Sequence, residues 1–164
     1  MFRKIDDFKE SWLTESKFTQ SIFDALTDES LSQAINSDHR TIGRLAWHIC
    51  DTISEMLPHI GLKFERVEQT VPKNAKVIAQ KYSELSKSLL SQIGTWTDEQ
   101  LLEEKNLYGE SWKNGATLLI LIKHEIHHRG QLTVLMRQAG LTLPSMYGPT
   151  KEGWKEYNAE PPAI

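Results

Sequence analysis

His124-Glu125-Ile126-His127-His128-Arg129-Gly130-Gln131 is the stretch on which the reading of this chain turns. In a helix, side chains four residues apart stand one turn apart on the same face. His124 and His128 therefore project side by side. On a wheel of about 100° per residue, Thr117, Leu121, Leu132, Leu135 and Ala139 form an apolar stripe. His124 and His128 fall near the middle of that stripe, and His127 falls well to one side. Two imidazoles on the buried face of a helix need partners, because an unpaired polar group in a core is costly. A metal ion is one such partner, and ordinary hydrogen bonds inside the core are the other.

Working outward, periodicity predicts four long helices. The first runs from about Asp6 to Leu26, with Phe8, Trp12, Phe18 and Ile22 on its apolar face and Asp6 or Asp7 as cap. The second is capped by Thr41 and runs to about Ile60, with Pro58 and Gly61 near its end. A third follows Pro72, read as a first-turn proline, and ends at Gly94. It carries Val77, Ile78, Tyr82, Leu85, Leu89 and Leu90. The fourth is capped by Asn114 and runs to Arg137 or Ala139, with Gly140 as its stop. Thr97-Asp-Glu-Gln100 has the capping-box pattern of a short turn, and residues 103–113 read as a loop or a small hairpin. The tail, Leu141–Ile164, is rich in Pro and Gly but keeps Leu143, Met146, Tyr147, Trp154 and Tyr157, so it is expected to pack on the body. Residues 1–164 thus read as a single all-α domain, a four-helix bundle of the kind that builds metal sites from facing helices.

Composition narrows the function classes. A net charge of −3 and a pI near 6.1 argue against a nucleic-acid partner, which calls for a basic patch. The lone cysteine, Cys50, excludes an intrachain disulfide and a cysteine-type zinc site. No apolar run approaches the length of a membrane span, and Met1-Phe-Arg-Lys-Ile-Asp-Asp lacks a secretory h-region. A soluble, cytoplasmic protein acting on a small-molecule substrate is the expectation.

His48 completes the constellation. It sits at the edge of the second helix's apolar face, beside Leu45 and Thr52, where a ligand at the mouth of an interhelical cleft would stand. Three neutral imidazoles leave a coordination position open, which is the arrangement of catalytic rather than structural sites. Such a set accepts zinc, nickel, cobalt or iron(II). A second chemistry is written in the same letters: His124-Glu125-x-x-His128 matches the HExxH pattern, in which Glu125 is the general base of a hydrolase. The extended form of that motif is absent, since no histidine follows His128. The other features have plainer readings. His39 lies in a polar loop and His59 near a helix end. Cys50 is a small buried hydrophobe, pointing away from His48, and Trp47 is packing. Gly130 permits close helix approach. Arg129 is either a partner for a substrate anion or a solvated charge. Gln131 is either a hydrogen-bond partner of His128 or a surface amide.

Leu45-Ala-Trp-His48, His124-x-x-x-His128-Arg-Gly-Gln-Leu132 and Gly140-Leu-x-x-Pro144-x-x-Tyr147-Gly148-Pro149 occur in an order that resembles the DinB/YfiT-like proteins. The resemblance spans most of the chain. It implies a four-helix bundle of unusual helix order, a homodimer, and a divalent metal, typically nickel or zinc, held by His48, His124 and His128. It also implies the chemistry of the better-understood relatives, thiol S-transfer or isomerisation with a low-molecular-weight thiol such as bacillithiol or mycothiol. In such an enzyme Arg129 and the tail around Tyr147 are candidate substrate neighbours. Two alternatives stand beside the transferase: a metal-dependent hydrolase using a bound hydroxide, and a non-catalytic metal-binding stress-response bundle.

Overall fold

The computed structural model describes residues 1–163. Its frame is four helices, α1 (Ile5–Asp24), α2 (Ile42–Met56), α3 (Ala75–Ile93) and α4 (Asn114–Gln138), with one small antiparallel hairpin, β1 (Glu104–Leu107) and β2 (Glu110–Lys113). The main helix contacts are α1 with α3 and α4, and α2 with α3 and α4. The order around the bundle is therefore α1, α3, α2, α4, so α1 to α2 and α3 to α4 are diagonal steps. Long connections make those steps possible. Residues 25–41 include a 3-10 turn at Glu29–Ser32, and residues 94–113 carry a second, Asp98–Leu102, before the hairpin.

Several helix ends form as their residues dictate. The Thr41 side chain accepts from the Arg44 backbone N–H at 3.2 Å. A 3-10 turn at Leu57–Ile60, with Pro58 inside it, closes α2, and Gly61 supplies the left-handed φ of +92° that reverses the chain. In the capping box, the Thr97 N–H donates to Gln100 Oε1 at 2.9 Å.

The starts of α1 and α4 are held by groups distant in sequence, whereas α3 is capped by a local residue. The cap of α1 is neither Asp6 nor Asp7. Asp98 accepts from the Ile5 N–H at 2.8 Å, while Asp6 and Asp7 lie in the first turn, facing the positive end of the helix dipole. Pro72 lies outside α3, which Asn74 caps by accepting from the Val77 N–H at 3.1 Å. Asn114 is the first residue of α4 rather than its cap, and its amide donates to the Gln100 carbonyl at 2.8 Å. Close backbone approach occurs at Gly115, where a Cβ would overlap the Phe2 carbonyl oxygen, and not at Gly130, which faces open space.

Residues 103–113 resolve as the hairpin. Leu107 pairs with Glu110 across Tyr108 and Gly109, both at positive φ (53° and 88°), the geometry of a tight two-residue turn. Leu107 is fully buried and anchors the hairpin to the core. The tail packs on the body as expected: Leu143 is buried, Leu141 and Met146 lie against the core, and Glu152 pairs with Arg137 of α4, while much of the Tyr147 and Tyr157 surface stays exposed. No helix is long and apolar enough to cross a membrane.

Candidate metal centre

α2 and α4 are neighbours in the bundle, and the cleft between them gathers His48, His124 and His128. One ring nitrogen from each lies within 4.8 Å of the other two. His48 Nε2 and His124 Nε2 are 3.0 Å apart. The ring centroids of His48 stand 5.1 Å from His124 and 4.7 Å from His128, and those of His124 and His128 are 4.4 Å apart. His128 is buried, and the other two are half-buried.

Gln131 fixes the third ring. Its Oε1 lies 2.8 Å from His128 Nδ1. An amide oxygen can only accept, so Nδ1 carries the proton and the Nε2 lone pair stays free. Of the two roles open to Gln131, its place in the structure is that of a partner orienting His128. The same amide reaches outward to His127, whose Nε2 is 3.1 Å from Gln131 Nε2 and which stands exposed outside the cluster.

Burial keeps the rings neutral. It is the largest cause that draws the pKa values of His48 and His124 down to about 4, and Arg40 and the neighbouring imidazoles push the same way. His128 is lowered by burial too, with the Gln131 hydrogen bond opposing. Neutral imidazoles are the protonation state a metal requires. Two nitrogens each ~2.1 Å from one ion stand ~3.0 Å apart at a right angle and ~3.4 Å at a tetrahedral one. The 3.0 Å separation of His48 and His124 matches the first of these. Three imidazole donors fit a divalent transition-metal ion.

Glu125 is not at this centre. One residue beyond His124 the helix has turned by about 100°, and the carboxylate enters the core facing α1 and α3. There Oε1 accepts from the Thr19 hydroxyl at 2.6 Å and the Tyr82 hydroxyl at 2.7 Å. Burial pushes its pKa up to about 7, and Oε2 has no partner among the described residues. The HExxH reading therefore fails on geometry, because the glutamate needed as base points away from the histidines.

Arg129 is neither solvated nor a substrate neighbour. It is 1% exposed, forms an ion pair with Glu15, and donates to the Glu15 carbonyl at 2.9 Å and to Thr19 Oγ1 at 3.0 Å. It also donates to the Tyr147 hydroxyl at 2.5 Å, and its guanidinium packs against both the Phe18 and Tyr147 rings, which touch each other edge to face. Arg129 and Tyr147 together fasten the tail to α1, on the side of α4 away from His48.

The remaining candidates keep their plain roles. Cys50 is fully buried, and burial pushes its thiol pKa up. Trp47 is packed, its indole N–H donating to the Glu68 carbonyl at 2.7 Å. His59 faces Glu55 at 3.9 Å. Arg40 is the residue that sequence reading passed over. It precedes the Thr41 cap, shares a cavity with His128 and lowers all three histidine pKa values. Its only sequence signal is a cation directly before the helix that carries His48.

A helical bundle that brings three imidazoles together between two of its helices defines the class. The chain belongs to the DinB family, whose model matches residues 1–161. It is 44% identical to Bacillus subtilis YrdA over 167 aligned residues, spanning 100% of both chains. It is 33% identical to Bacillus subtilis YjoA over 87 residues, covering 51% of this chain and 54% of YjoA. Among solved structures, a DinB-like protein from Bacillus cereus ATCC 10987 superposes with a TM-score of 0.86 at 45% identity, covering 90% of this chain and 100% of that one. The DinB-like structure of YjoA superposes at 0.70 and 23% identity, over 88% and 99% of the two chains, and speaks for the fold alone.

Proposed function

We propose that His48, His124 and His128 hold a divalent ion, nickel or zinc, and that the protein is a thiol S-transferase. The observation that carries this reading is the convergence of three neutral imidazoles with no carboxylate among them. A divalent ion held by uncharged ligands keeps its full positive charge and open positions, and so lowers the pKa of a thiol bound there. The residues of the chain do the rest. Gln131 holds the His128 ring with Nε2 outward, and Arg40 adds positive potential at the cleft.

In the reaction class, the thiol gives its proton to solvent and its sulfur bonds to an electrophilic carbon, from which a leaving group departs with the bonding pair. No protein base is needed, which accords with the position of Glu125. Glu125, held by Thr19 and Tyr82, is not available as the base of a hydrolase.

The test is an S-transfer assay on metal-loaded protein with bacillithiol, mycothiol or cysteine and a fluorogenic alkyl halide. The expected result is thiol consumption matched by halide release, abolished in His124→Ala/His128→Ala. Absence of consumption with every thiol would overturn the transferase reading.

A further inference from the structure

Beside His128 the cleft opens into a cavity of about 320 Å³. Ligand pockets run from ~300 to ~1,000 Å³, so this one suits a compact small molecule and not a folded segment of a partner. Its walls are mainly apolar: Leu45 from α2, Val134 and Leu135 from α4, and Ile35 from the loop before α2. Ile35 and Val134 are 64% and 56% exposed, leaving apolar surface at the rim of a site that otherwise ends in polar groups. At that rim stand His39 and Arg40.

Lys4 and Lys113, at the starts of two helices, form no ion pair among the described residues; what sets Arg40 apart is its place on this cavity. Arg66, Arg129 and Arg137 each pair with a carboxylate. Among the described residues Arg40 forms no ion pair, although it lines the cavity shared with His128. His39 is turned back to Asn36, with Nδ1 2.6 Å from the amide oxygen, and does not compete for the same anion. An apolar trough with an unpaired guanidinium at its mouth selects a molecule with an apolar body and one anionic end.

We propose that this cavity is the substrate subsite, and that it takes a small amphipathic carboxylate whose anionic end meets Arg40 and whose apolar body lies along Ile35, Leu45, Val134 and Leu135. That the other end of such a molecule is presented to the three histidines rests on the metal-centre reading above; the Arg40 contact does not. Arg40 is exposed, so the contact is moderate in strength and weakens with salt.

The experiment is calorimetric titration of the zinc-loaded chain with phenylbutyrate and with its neutral isostere, phenylbutyramide. The anion is expected to bind roughly fivefold more tightly, a preference that shrinks at high salt. Arg40→Gln abolishes the preference and leaves the amide's affinity unchanged. Val134→Ser weakens both compounds alike, by about threefold. In zinc-free protein the preference persists, because Arg40 is still present.

A preference that survives Arg40→Gln but disappears with the zinc would place the carboxylate on the ion and overturn the proposal. So would failure of both compounds to bind in the millimolar range. If the protein takes up no metal at all, the transferase reading falls, and the zinc-free titration still decides the Arg40 subsite.

Discussion

α4 carries two pairs of polar residues four apart, and the pairs meet opposite fates. His124 and His128 face α2 and converge with His48, their ring nitrogens within 4.8 Å of one another. Glu125 and Arg129, each one position further on, face α1 and are consumed by the fold. Thr19 bridges them, donating to Glu125 Oε1 at 2.6 Å and accepting from Arg129 at 3.0 Å. Charge within one short string of residues thus says little about chemistry until the facing helix is known. On one side the neighbours are other imidazoles, which repel when protonated and invite a cation. On the other side the neighbours are hydroxyls and a carboxylate that engage Arg129 and Glu125 Oε1, leaving only Glu125 Oε2 without a partner among the described residues.

That contrast can be broken by substitution. The largest effect is expected on the structural side. Arg129→Met leaves Glu15 without its cation in a largely buried position, and losing one partner of a buried pair costs about 3–5 kcal/mol. Urea denaturation reads this directly, and a cost below about 1 kcal/mol would mean that Arg129 is not a fastening of the fold. Glu125→Ala strands the Thr19 and Tyr82 hydroxyls and should cost about 1–3 kcal/mol, with bound metal unchanged. Loss of metal at undiminished stability would instead return Glu125 to the site.

On the histidine side, Gln131→Ala frees the His128 ring to turn. Metal affinity should fall by about tenfold, as measured by competition with a chelator, while stability of the metal-free protein barely moves. The two faces also differ in the sign of their pH response. The pKa values of His48 and His124 fall from 6.5 in the unfolded reference to about 4 in the fold. Their contribution in the metal-free protein is complete above pH 6.5 and is lost as pH falls toward 4. Glu125 has the opposite sign, its pKa raised from 4.5 to about 7, so its contribution is present below pH 4.5 and lost as pH rises through 7. Acid titration of stability should therefore be shallower in His124→Ala/His128→Ala and steeper in Glu125→Gln. Identical slopes in the two variants would contradict the assignment of the two faces.

The two faces also differ in how legible they are from residues alone. His124 and His128 lie on one apolar stripe, so helical periodicity pairs them with each other; His48 is joined to them by the family resemblance, because periodicity does not say which helices are neighbours. Helix number, the Thr41 cap and the Gly61 reversal follow from local signals in the same way. Glu125 and Arg129 were ambiguous because their partners, Thr19, Tyr82, Glu15 and Tyr147, come from α1, α3 and the tail, and no local pattern names them. The same cause explains the starts of α1 and α4, each read one residue out. Asp98 caps α1 from across the bundle, and the Gln100 carbonyl takes the Asn114 side chain. Arg40 enters the cleft only because the α1–α2 connection folds beside α4, a matter of topology and not of periodicity.

The central claim is that His48, His124 and His128 chelate one divalent ion. Elemental analysis of protein purified without a His-tag, set beside the His124→Ala/His128→Ala variant, tests it most directly. About one divalent ion per chain is expected in the unaltered protein and none in the variant. Metal-free unaltered protein after nickel or zinc supplementation, or equal metal in both, would contradict it.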